Sequence, residues 1–223
     1  MLLALAALAC AVVCSIVRLI RRLFGAKAPR TLSLHNASYE LTVREDGAVT
    51  ARSPSNDQDV SRRSYDLLDP AGREFFLVEG GESSSILAGS YLSAWRRHDD
   101  ALKYGGSHEG SHLGTMMKVS LPEDGDPVEL WTLTVGNPSD ALRTVKIVPY
   151  IEWVLNRADA DRGHTQYNRL FAELEYVDAL HAVLAWDKHA KAMGFLATDH
   201  KPEGFLTSRM DFIGRARSLD HAR

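Results

Sequence analysis

The amino-acid sequence predicts a mainly β protein, a large antiparallel β-sandwich preceded by one N-terminal hydrophobic helix. Three observations carry this expectation. From Thr31 onward, apolar and polar residues alternate in short runs broken by Gly, Pro, Asn and Asp, the period-two pattern of strands with one buried face. Stretches with helical period are few in that region. By contrast, the first seventeen residues, Met1–Val17, are without charge. Successive strands without intervening helices pack sheet against sheet rather than as βαβ units.

In chain order, residues 1–24 read as a hydrophobic anchor and residues 25–31 as a basic linker. Leu19 and Ile20 extend the apolar run past Arg18, at the short end of the about 20 residues that a membrane span needs. No base precedes the run, as a secretory signal would require. Arg18, Arg21, Arg22 and Lys27 follow it instead. The positive-inside rule therefore predicts a single-pass N-terminal anchor with the body on the cytoplasmic side. Secretion after signal cleavage is the alternative. In the body, Ser38–Val43 alternates and is closed by the Glu45-Asp-Gly47 turn. Phe75–Val78 is a short apolar strand after Asp69–Gly72, and Met117–Leu121 runs into the loop Pro122–Pro127. Val128–Val135 and Leu142–Val148 alternate on either side of Gly136–Asp140. Arg96–Gly114, polar and rich in Gly and His, reads mostly as loop. Tyr167–Leu174 offers a turn of helix.

Charge and cysteine usage exclude several functions. The chain has 26 Lys and Arg and 29 Asp and Glu; five of the bases and none of the acids fall in residues 1–30. Residues 31–223 thus carry 21 bases against 29 acids. That is the wrong balance for a phosphate backbone, so no nucleic-acid partner is expected. Both cysteines, Cys10 and Cys14, lie in the apolar run, which leaves the body without a disulfide framework, a cysteine nucleophile or a Cys-based zinc site.

His108-Glu-Gly-Ser-His112 matches the H-E-x-x-H zinc-hydrolase pattern, which requires a helix to set both imidazoles on one face. Gly105, Gly106, Gly110 and Gly114 surround it, and each costs a helix interior about 1 kcal/mol relative to alanine. It reads as a chance match in a polar loop, so no metal and no other cofactor is expected, and a zinc hydrolase using His108 and His112 is the weakest of the functional readings. Glu173 and Glu175 share a face if their segment is a strand, where a solvated or salt-bridged role is expected rather than paired catalysis. Trp131 and Trp153, in alternating runs, are assigned to packing. Trp95, beside Arg96 and Arg97, is the better candidate for ligand contact.

The last third carries a resemblance. Asn137-Pro-Ser, Val148–Leu155, Leu170–Val177 and Phe205–Leu219, with its Arg209-Met-Asp-Phe-Ile-Gly-Arg215, are similar to the N-terminal sandwich of glycoside hydrolase family 94. The nearest likeness is the phosphorylase-like region of cyclic β-1,2-glucan synthases. The resemblance implies a sandwich of the supersandwich, mutarotase-like type over residues 32–220, and a carbohydrate-binding, non-catalytic role beside a helical catalytic barrel. It implies no catalytic residue in this chain, which ends about where that family's linker begins and is expected to be inactive alone. A β-glucan or oligosaccharide is the implied ligand. Trp95, Arg96, Arg209 and Arg215 are the candidate carbohydrate-binding or interdomain residues. The reading from another class is a membrane-anchored interaction module without sugar affinity.

Overall fold

Tight antiparallel hairpins build the body of the chain. In the computed structural model, which describes residues 31–62, 72–87, 94–98, 101–107 and 113–214, β1 (Thr31–His35), β2 (Glu40–Arg44) and β3 (Val49–Ser53) form a meander. The β2–β3 turn closes where Gly47 N donates to Arg44 O and Arg44 N to Ala48 O. Strand β4 (Gln58–Ser61) continues this sheet, and β12 (Trp153–Arg157) completes it in the order β1-β2-β3-β4-β12. A second sheet orders β10 (Leu130–Gly136), β9 (Gly114–Ser120), β8 (Ala101–Ser107) and β7 (Ala94–His98). A third comprises β11 (Lys146–Ile151), β5 (Arg73–Glu79) and β6 (Glu82–Ser85), and a fourth β13 (Ala172–Val177), β14 (Ala182–Asp187) and β15 (Ala192–Ala197). Every described pairing is antiparallel. The sandwich expected from the alternation is the observed architecture.

Alternation decides what each sheet buries. Leu34, Leu41, Val43, Val49 and Ala51 face one way from β1–β3 and meet Leu102, Met117 and Val119 from β8 and β9, with Leu77 of β5, in one buried cluster. A second cluster sets Trp153 and Leu155 of β12 against Ala185, Leu174 and Leu196 on the inner face of the β13–β15 sheet. Gly194 makes this close approach possible, because a Cβ there would sit 2.5 Å from Cζ3 of Trp153. Strand β12 also bulges between Trp153 and Asn156, and Leu155 within the bulge takes φ 50°. That left-handed conformation is costly for a leucine; its side chain is buried in the cluster, and that burial holds the bulge in place.

Helices are short: α1 (Ala158–Gly163), α2 (Thr165–Asn168) and α3 (Arg209–Ile213). Ser208 caps α3, its Oγ accepting from Asp211 N, a preferred helix-start residue in its preferred role. Phe212 and Ile213 of α3 pack against Phe76, Val78, Val148 and Tyr150 on β5 and β11, with the Phe212 ring stacked on Tyr150 at 5.0 Å.

The structure corrects several expectations. Arg96–Gly114 is not mostly loop: β7 and β8 occupy much of it, and β8 pairs along its whole length with β9. The gain from that pairing and from burying Ala101 and Leu102 outweighs the weak strand propensity of Gly105 and Gly106. The Leu142–Val148 run forms a strand only from Lys146, and Leu142 is fully out in solvent. Phe205 and Leu206 remain 52% and 58% exposed, whereas Phe212 and Ile213 nearby pack on the sandwich. Phe205 instead stacks on Tyr176 at 4.2 Å.

The membrane anchor is not upheld either. Among the described residues no helix is long and apolar enough to cross a membrane; α1, the longest, has six residues against the about 20 a span requires. Residues 1–24, on which the hydrophobic helix, the single-pass anchor and the membrane partner all rested, lie outside the described residues. The membrane localisation is withdrawn.

Candidate functional site

Three of the four candidate residues lie on described elements. Trp95 and Arg96 lie on β7, an end strand of the second sheet, where Trp95 pairs with Tyr104 and Arg96 with Lys103. Arg209 opens α3, and Arg215 lies outside the described residues, as do His108 and His112. Among the described residues no group of three His, Cys, Asp or Glu side chains is arranged to hold a metal ion.

The Arg209 side chain is 32% exposed. It reaches Glu152, which sits between β11 and β12 at the centre of a buried ionic cluster. Glu152 Oε1 lies 2.8 Å from Arg62 Nε and accepts from Arg169 Nε at 2.7 Å. Glu152 Oε2 accepts from Tyr150 Oη at 3.2 Å and from Arg209 Nε at 3.3 Å. Arg62 also spans to Asp161 on α1, with Nη1 at 2.9 Å from Oδ1, and Asn168 Nδ2 donates to that same carboxylate at 3.2 Å. The backbone fixes the centre of the cluster. Glu152 N donates to Gly72 O at 2.7 Å and Arg62 N to Glu152 O at 2.8 Å. Gly72 is required here, because a Cβ would fall 2.0 Å from Arg62 O. Three guanidinium groups face two carboxylates, and both carboxylates are committed to them. Such a cluster joins β4, β12, α1 and α3; it has no carboxylate pair free for acid–base chemistry on a sugar.

A second buried polar group stands between the first and second sheets. Tyr39 Oη donates to Glu129 Oε1 at 2.6 Å and Trp131 Nε1 to Glu129 Oε2 at 2.6 Å. Arg73 is ion-paired to the same carboxylate and lies over the Trp131 ring. Trp131 thus serves packing, as does Trp153. Burial, reinforced by the adjacent carboxylates Glu129 and Glu152, pushes the phenols of Tyr39 and Tyr150 above their ordinary range. A phenol in the unfolded chain ionises near pH ~10. The folded pKa is raised, so this contribution to stability is complete below that value and falls away as pH rises past it. In an alkaline titration followed by near-UV absorbance, two of the seven tyrosines should ionise only together with cooperative unfolding. Smooth ionisation of all seven before unfolding would contradict the burial of both.

The outer face of the β13–β15 sheet is the exposed feature that the candidate residues did not include. Its register sets Glu173, Trp186 and Met193 in one row and Glu175, Leu184 and Phe195 in the next. Met193 is 73% and Phe195 53% exposed. Trp186 Nε1 donates to Glu173 Oε2 at 3.2 Å, and Lys188 Nζ to Glu173 Oε1 at 2.6 Å. The lysine holds the Glu173 carboxyl below the usual carboxylate range. Glu173 and Glu175 therefore do share a solvent-facing, salt-bridged face, as expected. The sequence signal for the rest was the alternation Leu184, Trp186 and Met193, Phe195, which is apolar on both faces of the sheet.

Comparison with known proteins agrees with this architecture. Solabiose phosphorylase of Paenibacillus borealis is 26% identical over 191 residues, which cover 78% of this chain and 23% of that protein. The chain thus spans less than a quarter of the length of this curated relative. The family model for the glycosyl hydrolase 94 supersandwich domain matches residues 24–223. With a match that takes in nearly the whole sequence and a sandwich of antiparallel sheets beneath it, the chain belongs to the glycosyl hydrolase 94 supersandwich family.

Proposed function

We propose that this chain is a carbohydrate-binding, non-catalytic sandwich that works beside a helical catalytic barrel in a phosphorylase-like enzyme. The observation that carries the reading is the supersandwich match over residues 24–223, joined to the likeness with a phosphorylase. The ionic cluster supports the non-catalytic part, since its two carboxylates are held by arginines and buried. Phosphorolysis of a glycoside needs an acid poised to protonate the leaving oxygen, and both carboxylates of the cluster are already engaged by guanidinium groups. An oligosaccharide or β-glucan is the ligand on this reading, and Trp95, Arg96, Arg209 and Arg215 stay candidates for contact with it or with the barrel.

Two measurements on the purified chain test the proposal. Incubation with solabiose or β-1,2-glucan and inorganic phosphate should release no sugar 1-phosphate, and titration calorimetry with the same sugars should detect binding. Phosphate-dependent release of sugar 1-phosphate would overturn the non-catalytic role. Absence of binding to either sugar would favour an interaction module instead.

A further inference from the structure

We infer that residues 198–214 form a salt-sensitive latch: α3 and the strap that leads to it undock from the third sheet as one unit, while the sandwich beneath stays folded.

The strap is lightly fastened. Strand pairing in the fourth sheet ends at Ala197, and the chain then runs without helix or strand until α3 opens at Arg209. Among the described residues 198–214, only Ile213 is buried. Two ion pairs tie the strap to the body. Lys201 Nζ lies 2.7 Å from Oδ1 of Asp178, just beyond β13, and Glu203 Oε2 lies 2.8 Å from Nζ of Lys146 at the start of β11. All four side chains are mostly exposed. A third pair joins Arg209 to Glu152 at 3.3 Å. The apolar anchors are the Phe205–Tyr176 stack and the seating of Phe212 and Ile213 on Phe76, Val78, Val148 and Tyr150. A region with so few buried apolar groups opens before the rest of a fold does.

What lies beneath does not depend on the latch. Phe75 and Leu77, which alternate along β5 with Phe76 and Val78, point the other way into the main cluster. Strand β5 pairs with β11 over six residues. When Arg209 leaves, Glu152 keeps Arg62 and Arg169 on Oε1 and Tyr150 on Oε2. Undocking therefore uncovers an apolar groove of Phe76, Val78, Val148 and Tyr150, with a carboxylate at its edge, and leaves the sheets paired.

Charge sets how often the latch opens. Ion pairs at the surface are weak and screened, because the Debye length falls from about 10 Å at 0.1 M salt to about 3 Å at 1 M. The three pairs all join the latch to the body, so they weaken together as salt rises. The β5–β11 ladder and the main cluster involve no such exposed pair, and they serve as the reference.

Hydrogen exchange of the full chain, resolved by fragment mass spectrometry, tests the latch. The amides of Phe212 and Gly214, which donate to Ser208 O and Met210 O, should exchange at least about tenfold faster than the paired amides of β5 and β11. Between roughly 0.05 M and 1 M sodium chloride, their rate relative to β5 and β11 should rise about threefold. The double variant Asp178→Asn/Glu203→Gln changes only exposed side chains, so it folds. Its α3 amides should begin near the high-salt rate of the parent and respond less to salt. Neither changed residue lies in α3, so a helix that frays by itself would be indifferent to the variant. Protection of α3 equal to that of β5 and β11 overturns the latch. Fast exchange that ignores salt, or that the double variant leaves unchanged, overturns it as well and marks fraying of α3 alone.

Discussion

Glu152→Ala is expected to lower the stability of the folded chain by about 3–5 kcal/mol, the range for removing one partner of a buried ion pair. The substitution leaves Arg62 and Arg169 without the carboxylate that both now share, and Arg62 is buried with Asp161 as its remaining charged partner among the described residues. It also takes the acceptor from Tyr150 and Arg209. Glu152→Gln should cost less, since the amide oxygen can still accept while the charge is gone. Arg209→Ala should cost least, because that side chain is a third exposed and exposed pairs contribute about 0–1 kcal/mol. Urea melts of the three variants give this order directly. A Glu152→Ala protein that melts like its parent would show that the cluster contributes no net stability.

Truncation after Pro202 is the second large effect. It removes Phe212 and Ile213, whose contacts with Phe76, Val148 and Tyr150 are the packing of α3 on the third sheet. Ile213 is 1% exposed. Burial of a large apolar side chain contributes about 1.5–3 kcal/mol, so losing these two should cost roughly 3–6 kcal/mol, a large share of a typical domain stability of about 5–15 kcal/mol. Phe205→Ala, at a ring that is half in solvent and stacked only on Tyr176, should cost far less. Denaturant midpoints of the two proteins decide the matter. Equal midpoints for the truncated and parent chains would mean that α3 is not part of the folded core.

What the sequence revealed and what it hid follow from the range of the interactions involved. The strand Ser38–Val43 and its closing turn were legible because alternation and the Glu45-Asp-Gly47 signal are local, and they match β2 and the β2–β3 turn. Strands β7 and β8 were read as loop because Gly105, Gly106 and His98 suggest nothing else locally; their state is decided by pairing with β9. Four apolar residues near the C-terminus looked equivalent, and only the geometry of β5 and β11 selects Phe212 and Ile213 over Phe205 and Leu206. Neither Glu152, although it lies in the Val148–Leu155 segment, nor Asp161 signalled an ionic cluster. Each reads as an ordinary surface acid in its own segment, and their partners Arg62 and Arg209 are far away in sequence. The face bearing Trp186, Met193 and Phe195 was hidden for another reason: β14 and β15 are largely apolar on both of their sides, so in these two strands alternation does not tell inside from outside.

The ionic cluster also bears on time. Its members come from separated parts of the chain: Arg62 and Asp161 are 99 positions apart, and Arg209 and Glu152 are 57 apart. Closing loops of that length costs entropy before any contact repays it, so the four regions meet only after the strands have already organised. Contacts missing from the transition state act on the unfolding rate and leave the folding rate almost untouched. In stopped-flow chevrons, Glu152→Gln should therefore raise the unfolding limb and leave the refolding limb nearly superimposed on the parent. Glu152 then governs how long a folded molecule lasts, and scarcely how quickly it is made.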